Sequence, residues 1–146
     1  MLDLDALRLA AELAMRQPAA RPQAHSWTTT IHVHNHPGGY VLPTIARLGY
    51  YPRVVIDGRC DSACAWAFVM NRNACFTMRA TFGFHRASYA KSGEPAREYT
   101  LALWHNLPAS LRPVAADVLR SDELVRVGAW EMWHHYPGRV CDETDL

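Results

Sequence analysis

The fold is decided by residues 58–85, GRCDSACAWAFVMNRNACFTMRATFGFH. Just before it, Val54, Val55 and Ile56 form an apolar β-branched run that ends at Asp57-Gly58. Small residues Ser62-Ala63-Cys64-Ala65 then open an apolar run, 66–70, of helical composition. The pattern predicts strand, tight turn, helix. A serine at such a turn sits at the first turn of a helix, where unpaired N–H groups and the positive dipole end stabilise a developing oxyanion. Ser62 is thus a candidate nucleophile. Residues 74–78 and 81–84 look extended, and the second run delivers His85 at its end as a candidate general base. The plainer alternative is that Ser62 is an ordinary helix cap and His85 a strand-end histidine.

Upstream, His34-Asn35-His36-Pro37-Gly38-Gly39 follows a β-branched run, 28–33, and precedes a helical pattern. Taken together, the two stretches resemble the ClpP-type serine peptidases of the ClpP/crotonase superfamily, whose signature is a strand ending in Asn-Ser-Pro-Gly-Gly. Asn35, Pro37, Gly38 and Gly39 match, and His36 stands where the family has serine. Gly58, Ser62, the small-residue turn and His85 fall at the family's spacings. The Cys-x-Ser-Ala-Cys and Gly-Phe-His forms also resemble ClpP-like proteins of bacterial envelopes. The resemblance implies an α/β fold of the ClpP/crotonase type, a mainly parallel sheet of short strands flanked by helices. It also implies serine-type hydrolysis of peptide bonds: Ser62 attacks, His85 moves the proton, and Gly38, Gly39 and Ala63 supply an oxyanion hole. For the third triad member, Asp117 with the following Leu119, Ser121, Glu123 and Gly128 matches the family pattern with one residue deleted. Asp122 is the runner-up.

The 146 residues suit one domain, 1–146, and the 49% apolar content is ordinary for a globular chain. A net charge of +1, with no basic run interleaved with aromatics, argues against nucleic-acid binding. No apolar stretch is long enough to span a bilayer. Residues 1–16 read as an amphipathic helix and 17–25 as a linker; early acids and an interrupted apolar run argue against a secretory signal. The expectation is a cytoplasmic protein, with the bacterial envelope or periplasm as the alternative if the N-terminus is processed or truncated.

His32, His34 and His36 alternate on one strand and raise a metal-dependent hydrolase as an alternative. The pattern is also similar to that of the metallo-β-lactamase superfamily, but the third histidine is one residue too close and the usual preceding aspartate is missing. His32 and His34 are expected instead as partly buried, hydrogen-bonded histidines, with no metal and no cofactor. Gly38-Gly39 would permit backbone geometry closed to other residues; the plain alternative is a turn. Residues 40–48 read as a helix with Val41, Ile45 and Leu48 inward and Gly49 as its stop.

Cys60, Cys64, Cys75 and Cys141 do not define a disulfide framework, and their redox state stays open. A thiol nucleophile is a further alternative. Beyond His85, residues 87–94 read as a loop bordering a substrate groove, with Phe84, Tyr89 and Tyr99 as apolar walls and Arg86, Lys91 and Arg97 as charges. Helices are predicted over 95–106, 109–119 and from 121 to 128 or 134. The expected substrate is an unfolded or short peptide. A homo-oligomer, an unfoldase partner and a catalytically silent binding or assembly module are left open.

Overall fold

The computed structural model describes residues 29–142 and 144–146, so the predicted helix at 1–16 and linker at 17–25 lie outside the described residues. The rest is α/β: a mixed five-stranded sheet with four helices. The strands are β1 (Ile31–His36), β2 (Val54–Asp61), β3 (Ala74–Phe76), β4 (Thr81–Phe84) and β5 (Val125–Gly128). The helices are α1 (Val41–Leu48), α2 (Ala63–Met70), α3 (Arg97–His105) and α4 (Ala129–His135).

The long strand β2 organises the sheet. β1 pairs with one side in parallel, while β3 and β4 share the other, β3 along Val54 to Ile56 and β4 along Arg59 to Asp61. β5 adds antiparallel to β4, which makes the sheet mixed. Between β1 and β2 the register shifts past Val33, and Gly58 sits in that irregularity. A Cβ there would lie 2.1 Å from the His34 carbonyl oxygen, so only glycine lets the strands close.

Every residue of α2 is buried, which is why its sequence is apolar all round rather than amphipathic. Trp66 meets Phe84 edge-on at 5.2 Å, and Phe68 packs against Phe76, Phe82 and Tyr136. Phe84 is therefore core, not the groove wall the sequence suggested. The C-terminal end of α2 is held from a distance. Arg139 donates to the carbonyls of Phe68, Asn71 and Ala74, and its guanidinium lies 3.8 Å above the Phe68 ring. A cation on those last carbonyls satisfies acceptors the helix leaves open and opposes its dipole.

Two predicted elements are corrected. Residues 109–119 form turns and only a short 3-10 helix at Ala116–Leu119. Pro113 has no N–H to give to a helical ladder there. The predicted helix from 121 is in its first part β5, where Val125 and Val127 alternate with Arg126, and helix begins only at Ala129. The four cysteines do pair, Cys60 with Cys64 and Cys75 with Cys141, leaving no free thiol and removing the thiol-nucleophile alternative.

Candidate active site

Ser62 joins β2 to α2 at φ 56°, ψ −121°, the one positive-φ residue other than glycine among those described. That conformation is unfavourable for an L-residue and persists only where surroundings impose it. Several do. The Ser62 N–H donates to the Gly83 carbonyl at 2.7 Å, and the Cys60–Cys64 disulfide closes a covalent ring around the turn. Gly38, at φ +99°, presses on it from the loop that follows β1: a Cβ added to Gly38 would lie 2.5 Å from Ser62 Cβ and 3.0 Å from its Oγ.

One residue earlier, Asp61 is wholly buried. It accepts from Arg59 Nε and, at 3.3 Å, from Arg126 Nη1. A buried carboxylate needs such partners, and Asp61 thereby ties β2 to the edge strand β5. Gly83 makes room for it, since a Cβ on Gly83 would come 2.3 Å from Asp61 Oδ1. Sequence reasoning missed this trio; an acid closing a strand that opens apolar, with an arginine two residues before it, was the available signal.

The structure brings Ser62 and His85 together, with Ser62 Oγ 2.8 Å from His85 Nε2. The other ring nitrogen, Nδ1, lies 2.6 Å from the main-chain carbonyl oxygen of Arg86. A carbonyl only accepts, so the proton sits on Nδ1 and leaves Nε2 as the acceptor for the serine O–H. This is the tautomer a general base needs.

The partner of the second ring nitrogen is therefore a backbone oxygen, not the carboxylate of Asp117. Asp117 is exposed on the 3-10 turn, and no hydrogen bond or ion pair joins it to His85 among the described residues. Asp122 comes closer in effect. Its carboxylate holds Arg86 in a fork, Oδ1 to Nε at 3.0 Å and Oδ2 to Nη2 at 3.3 Å, and accepts from Ser88 Oγ at 3.3 Å. Arg86 chiefly, and more weakly Ser88 and the charge of His85, hold the Asp122 carboxyl below its ordinary range. Arg86 also donates from Nη1 to the Arg120 carbonyl at 3.3 Å. Asp122 thus positions the residue whose carbonyl orients His85.

Gly38 and Gly39 both adopt positive φ, the freedom expected of them. The Gly38 N–H donates to His36 Nδ1 at 3.0 Å, so the residue standing at the family's serine position occupies one expected oxyanion donor. Burial first, and the charge of Arg47 second, push the His36 imidazole below its usual value and keep it an acceptor. Ala63 contributes one of the first N–H groups of α2, which have no acceptor within the helix.

The histidine strand does not gather as a ligand set. His32 and His34 lie exposed, not partly buried, with rings stacked at 6.1 Å, and His34 Nδ1 faces the Asp57 carboxylate at 3.5 Å. Among the described residues the acid, thiol and imidazole groups close enough for one ion are Cys75, Cys141 and Asp145, two of which are spent in a disulfide.

Beside Gly39 opens a cavity of about 600 Å³, mostly apolar, between the start of α1 and the 87–99 segment. Tyr89 and Tyr99 line it as expected, and Tyr40, Val41, Leu42 and Pro43 form the opposite wall, which the sequence reading did not anticipate. Compared with protein-family models and with curated proteins, the chain finds no match to either.

Proposed function

We propose that the chain is a serine-type peptidase of the ClpP/crotonase kind, working through Ser62 and His85. The observation that carries the reading is the 2.8 Å contact between Ser62 Oγ and His85 Nε2, at a serine held in a conformation it would not choose. Ser62 attacks the peptide carbonyl as His85 takes its proton on Nε2 and later returns it to the leaving amine. The imidazolium formed in between is held at Nδ1 by the Arg86 carbonyl, with the Asp122 carboxylate within electrostatic reach. The N–H groups of Ala63 and Gly39, joined by that of Gly38 when His36 releases it, stabilise the oxyanion. The neighbouring apolar cavity receives a side chain of an unfolded or short peptide, bound extended. Two disulfides in so short a chain support an oxidising compartment such as the bacterial envelope over the cytoplasm. Among the described residues no helix is long and apolar enough to cross a membrane.

A fluorophosphonate probe followed by mass spectrometry tests the reading: labelling is expected at Ser62, and Ser62→Ala is expected to lose about 10⁴ to 10⁶ in turnover. Absence of labelling in folded protein, together with unchanged peptide binding, would support the second reading, a silent binding module. The observation favouring that reading is the Gly38 N–H already donated to His36.

A further inference from the structure

Apart from the Ser62–His85 site, a second cavity of about 420 Å³ is lined by Arg86, Pro95, Arg97, Thr100, Leu101 and Arg120. Three arginines line one space. Only Arg86 has a carboxylate partner, Asp122; among the described residues no acid pairs with Arg97 or Arg120. Three positive charges against one negative leave a surplus of two. Like charges near one another repel, and an anion between them relieves that repulsion, with Arg97 and Arg120 offering guanidinium donors that no acid takes up among the described residues.

Two further features point the same way. The cavity lies against the first turns of α3 through Arg97, Thr100 and Leu101, near the positive end of that helix's dipole. Glu98, the one acid of that turn, is not among the lining residues. Thr100 is committed elsewhere: its Oγ1 accepts from the Ala87 N–H at 2.8 Å and donates to the Ala96 carbonyl at 3.3 Å, fixing the floor between the two chain segments.

We propose that this cavity binds a phosphate group, either free inorganic phosphate or a phosphomonoester. A phosphate carries about −1.5 to −2 charges at neutral pH, close to the surplus of two, and its oxygens accept from several guanidiniums at once. A carboxylate carries one charge and leaves the other unanswered. The site shares Arg86 with the peptidase reading, through its guanidinium here and its carbonyl there, but it does not require that reading to hold.

Isothermal titration calorimetry of the full chain at ~0.15 M salt tests it, with inorganic phosphate, phosphoserine and acetate as separate probes. Saturable one-to-one binding of phosphate is expected, with acetate weaker by at least about tenfold. Binding of phosphoserine alongside phosphate makes the ester an accepted ligand, and phosphate binding alone assigns the free ion. R97A/R120A is expected to weaken phosphate by at least about tenfold while its circular dichroism stays native. R97Q and R120Q singly, checked for native circular dichroism, give the same reading if the double variant does not fold. No saturable phosphate binding up to about 10 mM, acetate binding as tight as phosphate, or undiminished affinity in the folded variants overturns the proposal.

Discussion

The two halves of the candidate site are held by different physics. Ser62 is fixed from within: a disulfide around its turn, a glycine backbone against its side chain and a buried carboxylate one residue before it. His85 is fixed from outside, by a main-chain carbonyl whose residue is steadied by an exposed ion pair, Arg86 with Asp122. Covalent and close-packed restraints are indifferent to salt, whereas an exposed ion pair is screened and contributes little on its own. The nucleophile side should therefore fail abruptly when damaged, and the base side should fail by degrees.

The sharpest break is expected at Asp61. Removing both arginines, Arg59→Ala with Arg126→Ala, leaves its buried carboxylate unpaired and should cost about 3–5 kcal/mol of stability, read by urea unfolding. Asp61→Asn, which removes the charge instead, should cost distinctly less. Equal losses would mean that Asp61 is not buried as an ion.

Gly38→Ala comes next. Its Cβ would collide with Ser62 at a φ that alanine resists, so turnover should drop about 10² to 10³-fold while α2 remains folded. Near-normal turnover in that variant would show the β1 loop to be loosely held and erase the contrast between the two halves.

On the base side, Asp122→Asn should lower turnover by about tenfold or less, because a weakened exposed pair still leaves the Arg86 carbonyl in place. Asp117→Asn should be indistinguishable from the unaltered protein. The Asp122 carboxyl, held below its ordinary value by Arg86, keeps its contribution above the usual carboxylate range and loses it only as pH falls through the depressed folded value. An Asp117 effect larger than that of Asp122 would restore the family's triad and displace the backbone oxygen.

The smallest effect concerns His36. Its folded pKa is lowered, so the unfolded chain takes up a proton first, and stability should decline as pH falls below 6.5, levelling off once the folded imidazole is also protonated. Replacing it by His36→Gln removes that titration and should flatten the decline, measured as Tm against pH.

How much of this was legible in the sequence follows from what each residue type can signal. The turn at Ser62 was readable because strand, small residues and apolar helix each carry their own composition, and β4 delivers His85 by simple succession. The Arg86 carbonyl was not, since every residue has a carbonyl and none advertises that it will be used. Asp122 looked like a helix-start acid because the region after it resembled a helix; β5 is only four residues long and exists through its pairing with β4. The cysteine partners were equally hidden, as connectivity depends on which Cα atoms the fold brings close.

The backbone at Ser62 bears on selection as well as on geometry. A residue at φ 56°, ψ −121° would be relieved by glycine, which has no Cβ to conflict there. For a chain kept only for its ability to fold, glycine is the cheaper choice at this position, by about 1 kcal/mol or more. Keeping a hydroxyl there runs against conformational preference. Ser62→Gly is thus the substitution at which thermal robustness and chemical use pull in opposite directions, and a library sorted for stability alone should enrich it.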